Sequence, residues 1–300
     1  MRKELIAERS PKSPIAEIFR TLRTNIQFMN SQKSLRTILI TSTMPGEGKT
    51  WVSSNLAITF AQAGKRVLLI DADLRKGRLH KVFQLEAIPG LSNYLSGMDE
   101  NDGKLKNDIL KYVRRTEVNN LFVITAGNFP PNPSELLASE TTTNMIENLK
   151  KTFDIIILDG TPCLLVTDSV ILSRMVDSTI IVASHKTTKK DDLAKVKKSI
   201  ENVGGKIAGV VLNKVPVNID KYESTYYYSS STKSDVIDSV NVPEQEDRIN
   251  FKGNIEGIDN IQEEPSIASE YDVETSGDIS KERTEEIMKQ IDDFLKKNNK

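Results

Sequence analysis

One short turn, Thr43-Met44-Pro45-Gly46-Glu47-Gly48-Lys49-Thr50, joins an apolar run to a run with helical spacing, and it restricts the fold more than any other stretch. The preceding residues, Thr37 to Thr41, are β-branched and apolar, as in a strand buried on both faces of a parallel sheet. Trp51 to Ala63 places Val52, Leu56 and Phe60 at helical intervals, with Gly64 as a stop signal. Glycines at 46 and 48 let successive N–H groups turn inward at a helix N-terminus, a geometry that binds phosphate. Lys49 would reach the β- and γ-phosphates and the Thr50 hydroxyl would face Mg²⁺. The candidate nucleotide-binding stretch is therefore Pro45, Gly46, Glu47, Gly48, Lys49, Thr50 and Trp51. The match to G-x-x-x-x-G-K-[ST] fails only at its first place, where Thr43 stands. An isolated PGEGKT would also suit a charged surface turn, but the flanking strand and helix favour nucleotide binding.

Charge divides the chain. Residues 1–228 hold 32 Lys and Arg against 24 Asp and Glu, and residues 229–300 hold 9 against 18, so a mildly basic body carries an acidic tail. Neither part is charged enough to argue for nucleic acid. The single Cys163 excludes an internal disulfide, suits a reducing compartment and reads as a small buried residue. No stretch approaches a membrane-spanning length of apolar residues and the first residues do not open a secretory signal, which predicts a cytoplasmic protein without direct membrane insertion.

Ser13-Pro14 opens a helix, with Ser as N-cap and Pro at the first position. Its stripe of Ile15, Ile18, Leu22, Ile26 and Met29 leaves Glu17, Arg20 and Arg23 on another face. By spacing alone these three are a solvated face, with a subunit contact as the sharper alternative. Farther on, Arg66 to Arg75 reads as a second buried strand ending in acids. If it stays extended through Ala72, Asp71 and Asp73 share one side. Lys76 to Arg115 reads as short helices and loops, Leu121 to Thr125 as a strand, 130–134 as a rigid proline loop and Glu140 to Lys151 as a helix. Asp154 to Asp159 is a third strand ending in an acid, the usual place for a carboxylate that serves Mg²⁺. Ser178 to Ala183 and Lys206 to Leu212 are further strands, separated by a helix over Lys189 to Val203. The alternation predicts a doubly wound, mainly parallel α/β sheet, with Thr50, Asp71, Asp73 and Asp159 as a metal site on its ligand-binding edge. Asn213-Lys214, at the end of the last strand, would meet a base ring, with adenine favoured because Pro216 stands where guanine readers carry an acid.

Past Pro216 the pattern breaks. Tyr222, Tyr226, Tyr227 and Tyr228 are four of the chain's seven tyrosines, followed by a serine-rich run. They suit phosphorylation acceptors on a flexible arm, or ordinary coil. Residues 233–279 are polar, acidic and aperiodic, which predicts disorder. Residues 280–300 recover an apolar face of Ile287, Met288, Ile291, Phe294 and Leu295, which predicts a docking helix.

The set Thr43 to Thr50, Val67 to Arg75, Ile155 to Asp159 and Tyr222 to Tyr228 resembles the bacterial tyrosine kinases of capsule and exopolysaccharide synthesis, of the CpsD/CapB type. The resemblance covers roughly residues 13–228. It implies a P-loop NTPase fold with a deviant Walker A motif, and it matches Asp71, Asp73 and Asp159 to the acids of the motifs called A′ and B. It implies ATP and Mg²⁺ as cofactors; Lys49, Asp71 and Asp73 are the candidate catalytic residues, with Asp71 the candidate to orient or deprotonate a tyrosine hydroxyl. It also implies a ring-shaped homo-oligomer joined through Glu17, Arg20 and Arg23. A membrane adaptor of the polysaccharide co-polymerase type would recruit the kinase to the inner face of the membrane and activate it. Three departures stand out. Met44 replaces the signature lysine of partitioning ATPases, Gly160-Thr161-Pro162 replaces Thr-Pro-Pro and implies a small local backbone change, and about seventy residues follow the tyrosine cluster.

The expected organisation is an N-terminal arm and oligomerisation helix (1–35), a kinase domain (36–217), the tyrosine cluster (218–232), an acidic linker (233–279) and a last amphipathic helix (280–300). The expected reaction is ATP-dependent autophosphorylation of the cluster between subunits. The competing expectation is a ParA/MinD-like ATPase switch with incidental tyrosines.

Overall fold

The computed structural model describes residues 4–29, 35–97 and 108–216. The tyrosine cluster, the acidic linker and the last predicted helix lie outside the described residues. In chain order the elements begin with α1 (Ile6–Arg9), α2 (Pro14–Phe28), β1 (Thr37–Ser42), α3 (Lys49–Gln62) and β2 (Val67–Asp71). Next come α4 (Leu79–Phe83), α5 (Leu91–Leu95), a 3₁₀ turn (Ile109–Tyr112), β3 (Arg114–Arg115), β4 (Leu121–Ile124), α6 (Pro133–Ala138) and α7 (Glu140–Leu149). The series closes with β5 (Ile155–Pro162), α8 (Asp168–Ser173), β6 (Ser178–Ser184), α9 (Lys190–Asn202) and β7 (Ile207–Asn213).

The strands form one sheet in the order β3-β4-β2-β5-β1-β6-β7. All neighbours are parallel except β3, which pairs antiparallel with β4 at one edge. Period-two alternation sorts the central strands onto two cores. Ile38, Ile40, Leu69 and Ile157 pack with Leu56 and Phe60 of α3 and Phe19 of α2. Leu39, Leu68, Ile70, Ile156 and Leu158 face the other way, against Leu137, Ile146, Leu149 and Leu172. Burial on both faces explains why these strands read as unbroken apolar runs.

Several local expectations change. Pro133 opens α6 instead of extending a rigid loop, because proline at the first helical position lacks only an N–H that has no partner there. β2 ends at Asp71, so Asp73 lies beyond the strand. α1, too short to show a period, is clasped to α3. The Ala7 N–H donates to Asn55 Oδ1 at 2.9 Å, and Asn55 Nδ2 donates to the Glu4 carbonyl at 2.9 Å. β5 runs as a strand through Pro162, with a register shift against β1 between the Ile40–Asp159 and Ser42–Pro162 pairs. The bulge lies at Gly160 and Thr161. A Cβ on Gly160 would come within 2.4 Å of Ser169 Oγ, so glycine also admits α8 close to the sheet.

Candidate active site

Parallel strands bring their carboxyl ends to one edge of the sheet, and the crevice forms there. The loop after β1 turns at Gly46 (φ +82°) and Gly48 (φ +98°), both left-handed conformations suited to glycine. Gly48 caps α3, and the first backbone bond in this helix runs from the Val52 N–H to the Gly48 carbonyl at 2.9 Å. The N–H groups of Lys49, Thr50 and Trp51 therefore belong to the turn whose donors have no partner within the helix. Lys49 Nζ lies 3.3 Å from Asp73 Oδ2, both nearly buried. Asp73 Oδ1 also accepts from the Lys76 N–H at 2.8 Å and, more weakly, from the Arg75 N–H at 3.3 Å, which fixes the turn after β2.

Asp71 and Asp159 stand opposite each other in the register of β2 and β5. Each has a buried Oδ1 that accepts no hydrogen bond. Burial, and then the Asp159 and Asp73 charges, hold the Asp71 carboxyl well above the ordinary carboxylate range, while the bond from the Leu79 N–H to its Oδ2 (2.9 Å) opposes them. Burial likewise raises Asp159 to about 6, although the Lys49 ammonium and the Thr50 and Ser53 hydroxyls pull it down. Two orphaned acceptors beside a lysine are a suitable setting for a cation. Among the described residues, however, no three His, Cys, Asp or Glu side chains stand close enough to hold a metal ion together. Within this group Asp71 Oδ2 accepts from the Leu79 N–H and Asp73 Oδ2 lies against Lys49, while Asp71 and Asp159 each keep an Oδ1 without a hydrogen bond. Asp71 has no exposed surface, and a Cβ on Gly77 would lie 2.8 Å from its Oδ2.

Two other expected contacts are redirected. Glu47 turns away from the phosphate side, and its carboxylate accepts from the Thr43 N–H (2.7 Å), Thr43 Oγ1 (2.8 Å), the Met44 N–H (2.9 Å) and Thr188 Oγ1. The Trp51 ring packs edge-on against Phe19, centroids 5.0 Å apart, leaving only its backbone N–H for phosphate. Asn213 ends β7 beside the loop, where its Nδ2 donates to the Glu47 carbonyl at 2.8 Å. Pro45 lies in the exposed bend of the same loop.

Glu17, Arg20 and Arg23 are far along the chain from this edge. Glu17 and Arg20 pair at 2.6 Å on the surface of α2, and Arg23 Nη1 donates to the Thr59 carbonyl of α3 at 2.9 Å. Arg23 thus anchors α2 to the phosphate-loop helix. Burial lifts the Cys163 thiol to about 11, which leaves it protonated and unreactive at neutral pH.

The sequence reading missed a brace beside Asp73. Arg75 Nε and Nη2 donate to the wholly buried Asp168 at 2.8 and 3.0 Å, and Ser134 Oγ donates to Asp168 Oδ1 at 2.7 Å. The pairing with Asp168 raises Arg75 above its ordinary value. Thr167-Asp168-Ser169 carries a helix-start signature, the one cue that would have drawn attention to it.

Residues 38–251 match the family described as the CobQ/CobB/MinD/ParA nucleotide binding domain. The chain is 40% identical over 218 residues to a putative tyrosine-protein kinase CapB of Staphylococcus aureus, covering 73% of this chain and 91% of the relative. It is 36% identical to tyrosine-protein kinase YwqD of Bacillus subtilis (strain 168), covering 77% and 93%. Among solved structures it is similar to the chimerical protein CapA2B2 (TM-score 0.66, 37% identity, 71% of this chain and 91% of that one). It is also similar to the kinase domain of the Escherichia coli tyrosine kinase ETK (TM-score 0.65, 32% identity, 71% and 82%).

Proposed function

The chain belongs to the tyrosine-protein kinases of the CapB type, and from that premise we propose how its residues divide the work of moving a phosphoryl group from ATP to a tyrosine. It is a protein-tyrosine kinase with the CobQ/CobB/MinD/ParA nucleotide-binding architecture. The observation that carries the assignment of roles is the meeting of Lys49 and Asp73, 3.3 Å apart, at the mouth of a glycine loop. The N–H groups of Gly46 to Thr50 and the Lys49 ammonium hold the β- and γ-phosphates and stabilise the charge that develops during transfer. Mg²⁺, held through Thr50 and Asp159, would supply further charge compensation at the phosphates. Asp73 keeps a little exposed surface, whereas Asp71 keeps none, and it is the acid we assign to orient the tyrosine hydroxyl. The tyrosyl oxygen bonds to the γ-phosphorus as the bond to the β,γ-bridging oxygen breaks, ADP leaves, and the tyrosyl proton passes to Asp73. A tyrosine hydroxyl titrates near 10 in water, so at neutral pH it needs such an acceptor.

The proposed acceptors are Tyr222, Tyr226, Tyr227 and Tyr228, presented by one subunit to the next in a homo-oligomer that uses the Glu17 and Arg20 face. Each phosphate adds about −1.5 to −2 charges, so repeated modification favours disassembly. That cycle would regulate capsule or exopolysaccharide synthesis and export, with a membrane adaptor supplying recruitment and activation. Among the described residues no helix is long and apolar enough to cross a membrane. The ParA/MinD-like switch shares the nucleotide site, and the kinase names of the relatives give it no added support. The test is the full chain incubated with ATP, Mg²⁺ and an adaptor tail, with all four tyrosines changed to Phe. Phosphotyrosine should vanish while ATP binding persists; an unchanged signal would refute the cluster as acceptor.

A further inference from the structure

A buried carboxylate inside an anion-binding loop is electrostatically awkward, because it repels the ligand that the loop exists to hold. Glu47 is 5% exposed. No basic side chain pairs with it among the described contacts, and its oxygens are occupied by four neutral donors. Three of these belong to the loop itself: the Thr43 N–H, the Thr43 hydroxyl and the Met44 N–H. The fourth, the Thr188 hydroxyl, comes from the turn between β6 and α9 and reaches Glu47 Oε1. Thr188 is fixed in turn, because its Oγ1 accepts from the Ser184 N–H at 2.7 Å and its own N–H donates to the Ser184 carbonyl at 3.0 Å. On the other side Asn213 Nδ2 grips the Glu47 carbonyl, and a Cβ on Gly48 would come within 2.1 Å of that nitrogen. The loop is thus pinned from the ends of two strands, β6 and β7.

We propose that Thr188 is a positioning residue for the nucleotide: acting through the Glu47 carboxylate, it sets the direction in which the N–H groups of Gly46 to Thr50 point. The physical reason is asymmetry of cost. A buried charge that loses one donor must find another, and the nearest candidates are the N–H groups that the phosphates require. Removing the Thr188 hydroxyl therefore frees Glu47 to compete with the ligand for its own loop. This inference deepens the reading of the loop as an ATP site and does not depend on which molecule receives the phosphate.

The test is calorimetric titration of the full chain with Mg²⁺·ATP. Thr188→Val should weaken ATP binding about tenfold or more, as expected when a hydrogen bond to a charged group is lost. Without nucleotide the variant should melt at a lower temperature than the parent, because Glu47 and the Ser184 N–H each lose a partner, and Thr188→Ser should restore both melting temperature and affinity. Glu47→Gln should bind better than Glu47→Ala, because a Gln carbonyl still accepts from the loop N–H groups while its NH₂ can face the hydroxyls. Parental affinity in Thr188→Val, or equal weakness in Thr188→Val and Thr188→Ser, would overturn the proposal. Should Thr188→Val fail to fold, the Glu47 pair decides, and equal affinities for Gln and Ala would refute it. A parent chain that binds ATP yet modifies no tyrosine would refute the kinase roles and leave this inference standing.

Discussion

The phosphate loop and the acid-tipped strands beside it follow opposite rules. In the loop the buried polar groups are matched: four donors meet the Glu47 carboxylate and one amide meets its carbonyl. At the tips of β2 and β5, Asp71 and Asp159 each keep a buried oxygen with no partner. Satisfied networks rigidify, whereas orphaned carboxylates store unfavourable free energy that a cation or a proton can relieve. The loop is therefore shaped before the ligand arrives, and the acid pair is stabilised only when it does.

The largest effect that would break this contrast comes from Asp159. Its carboxyl titrates near 6 in the folded chain, against an ordinary value of 3.8. Below the ordinary value both states are protonated and no penalty exists; as pH rises from there through about 6, only the folded state holds the proton, and stability falls. At pH 7.5 the charged folded form costs about 3 kcal/mol by linkage. Asp159→Asn should therefore raise the melting temperature at pH 7.5, leave it nearly unchanged at pH 3.5, and lower phosphate transfer by about a hundredfold or more. Melting curves at the two pH values, beside a single-turnover phosphorylation assay, check all three. An apoprotein destabilised at pH 7.5 would show that Asp159 is structural.

What could be read from the chain follows the same division. Strands buried on both faces announce themselves as apolar runs, so β1, β6 and β7 were legible to within a residue, whereas β2 stops four residues before the expected Arg75 and β5 runs three past Asp159. Gly46, Gly48 and Lys49 were legible because a tight phosphate-binding turn admits few alternatives. Glu47 looked like one more loop residue, because nothing local says that its partner is Thr188, 141 positions away. Asp168 was invisible for the same reason: its partner Arg75 is 93 positions off, and burial of an acid is a property of the folded neighbourhood. Asp71 was placed correctly on its strand but not in depth, since its burial comes from the folded neighbourhood, with Gly77 close against its carboxylate and the Leu79 N–H bonded to it.

An intermediate effect is expected at Asp168, which joins the two regions by fixing the turn that carries Asp73. Removing one member of a buried charged pair costs about 3–5 kcal/mol, but Arg75 is 37% exposed and water screens part of that loss. Asp168→Ala should lower stability by about 2 kcal/mol in urea denaturation. It should also lower kcat more than it raises KM for ATP, since Lys49 and the loop keep their places while Asp73 drifts. A change in KM alone would mean that the brace serves binding and not transfer.

The smallest effect sharpens the contrast from outside the site. Glu17 and Arg20 form a surface pair with side chains 40% and 32% exposed, whereas Arg23 reaches into the chain and bonds to the backbone of α3. A pair of this kind on one helix is worth about 0.3–0.5 kcal/mol. Arg20→Ala should thus barely move the urea midpoint of the isolated chain. The proposed assembly asks more of the same guanidinium, because a charge buried at a subunit contact leaves its partner unpaired when removed, at a cost of about 2–5 kcal/mol. Sedimentation of parent and variant at equal concentration separates the two roles. Oligomers lost at unchanged monomer stability place the arginine at an interface, and oligomers retained return the helix face to solvent.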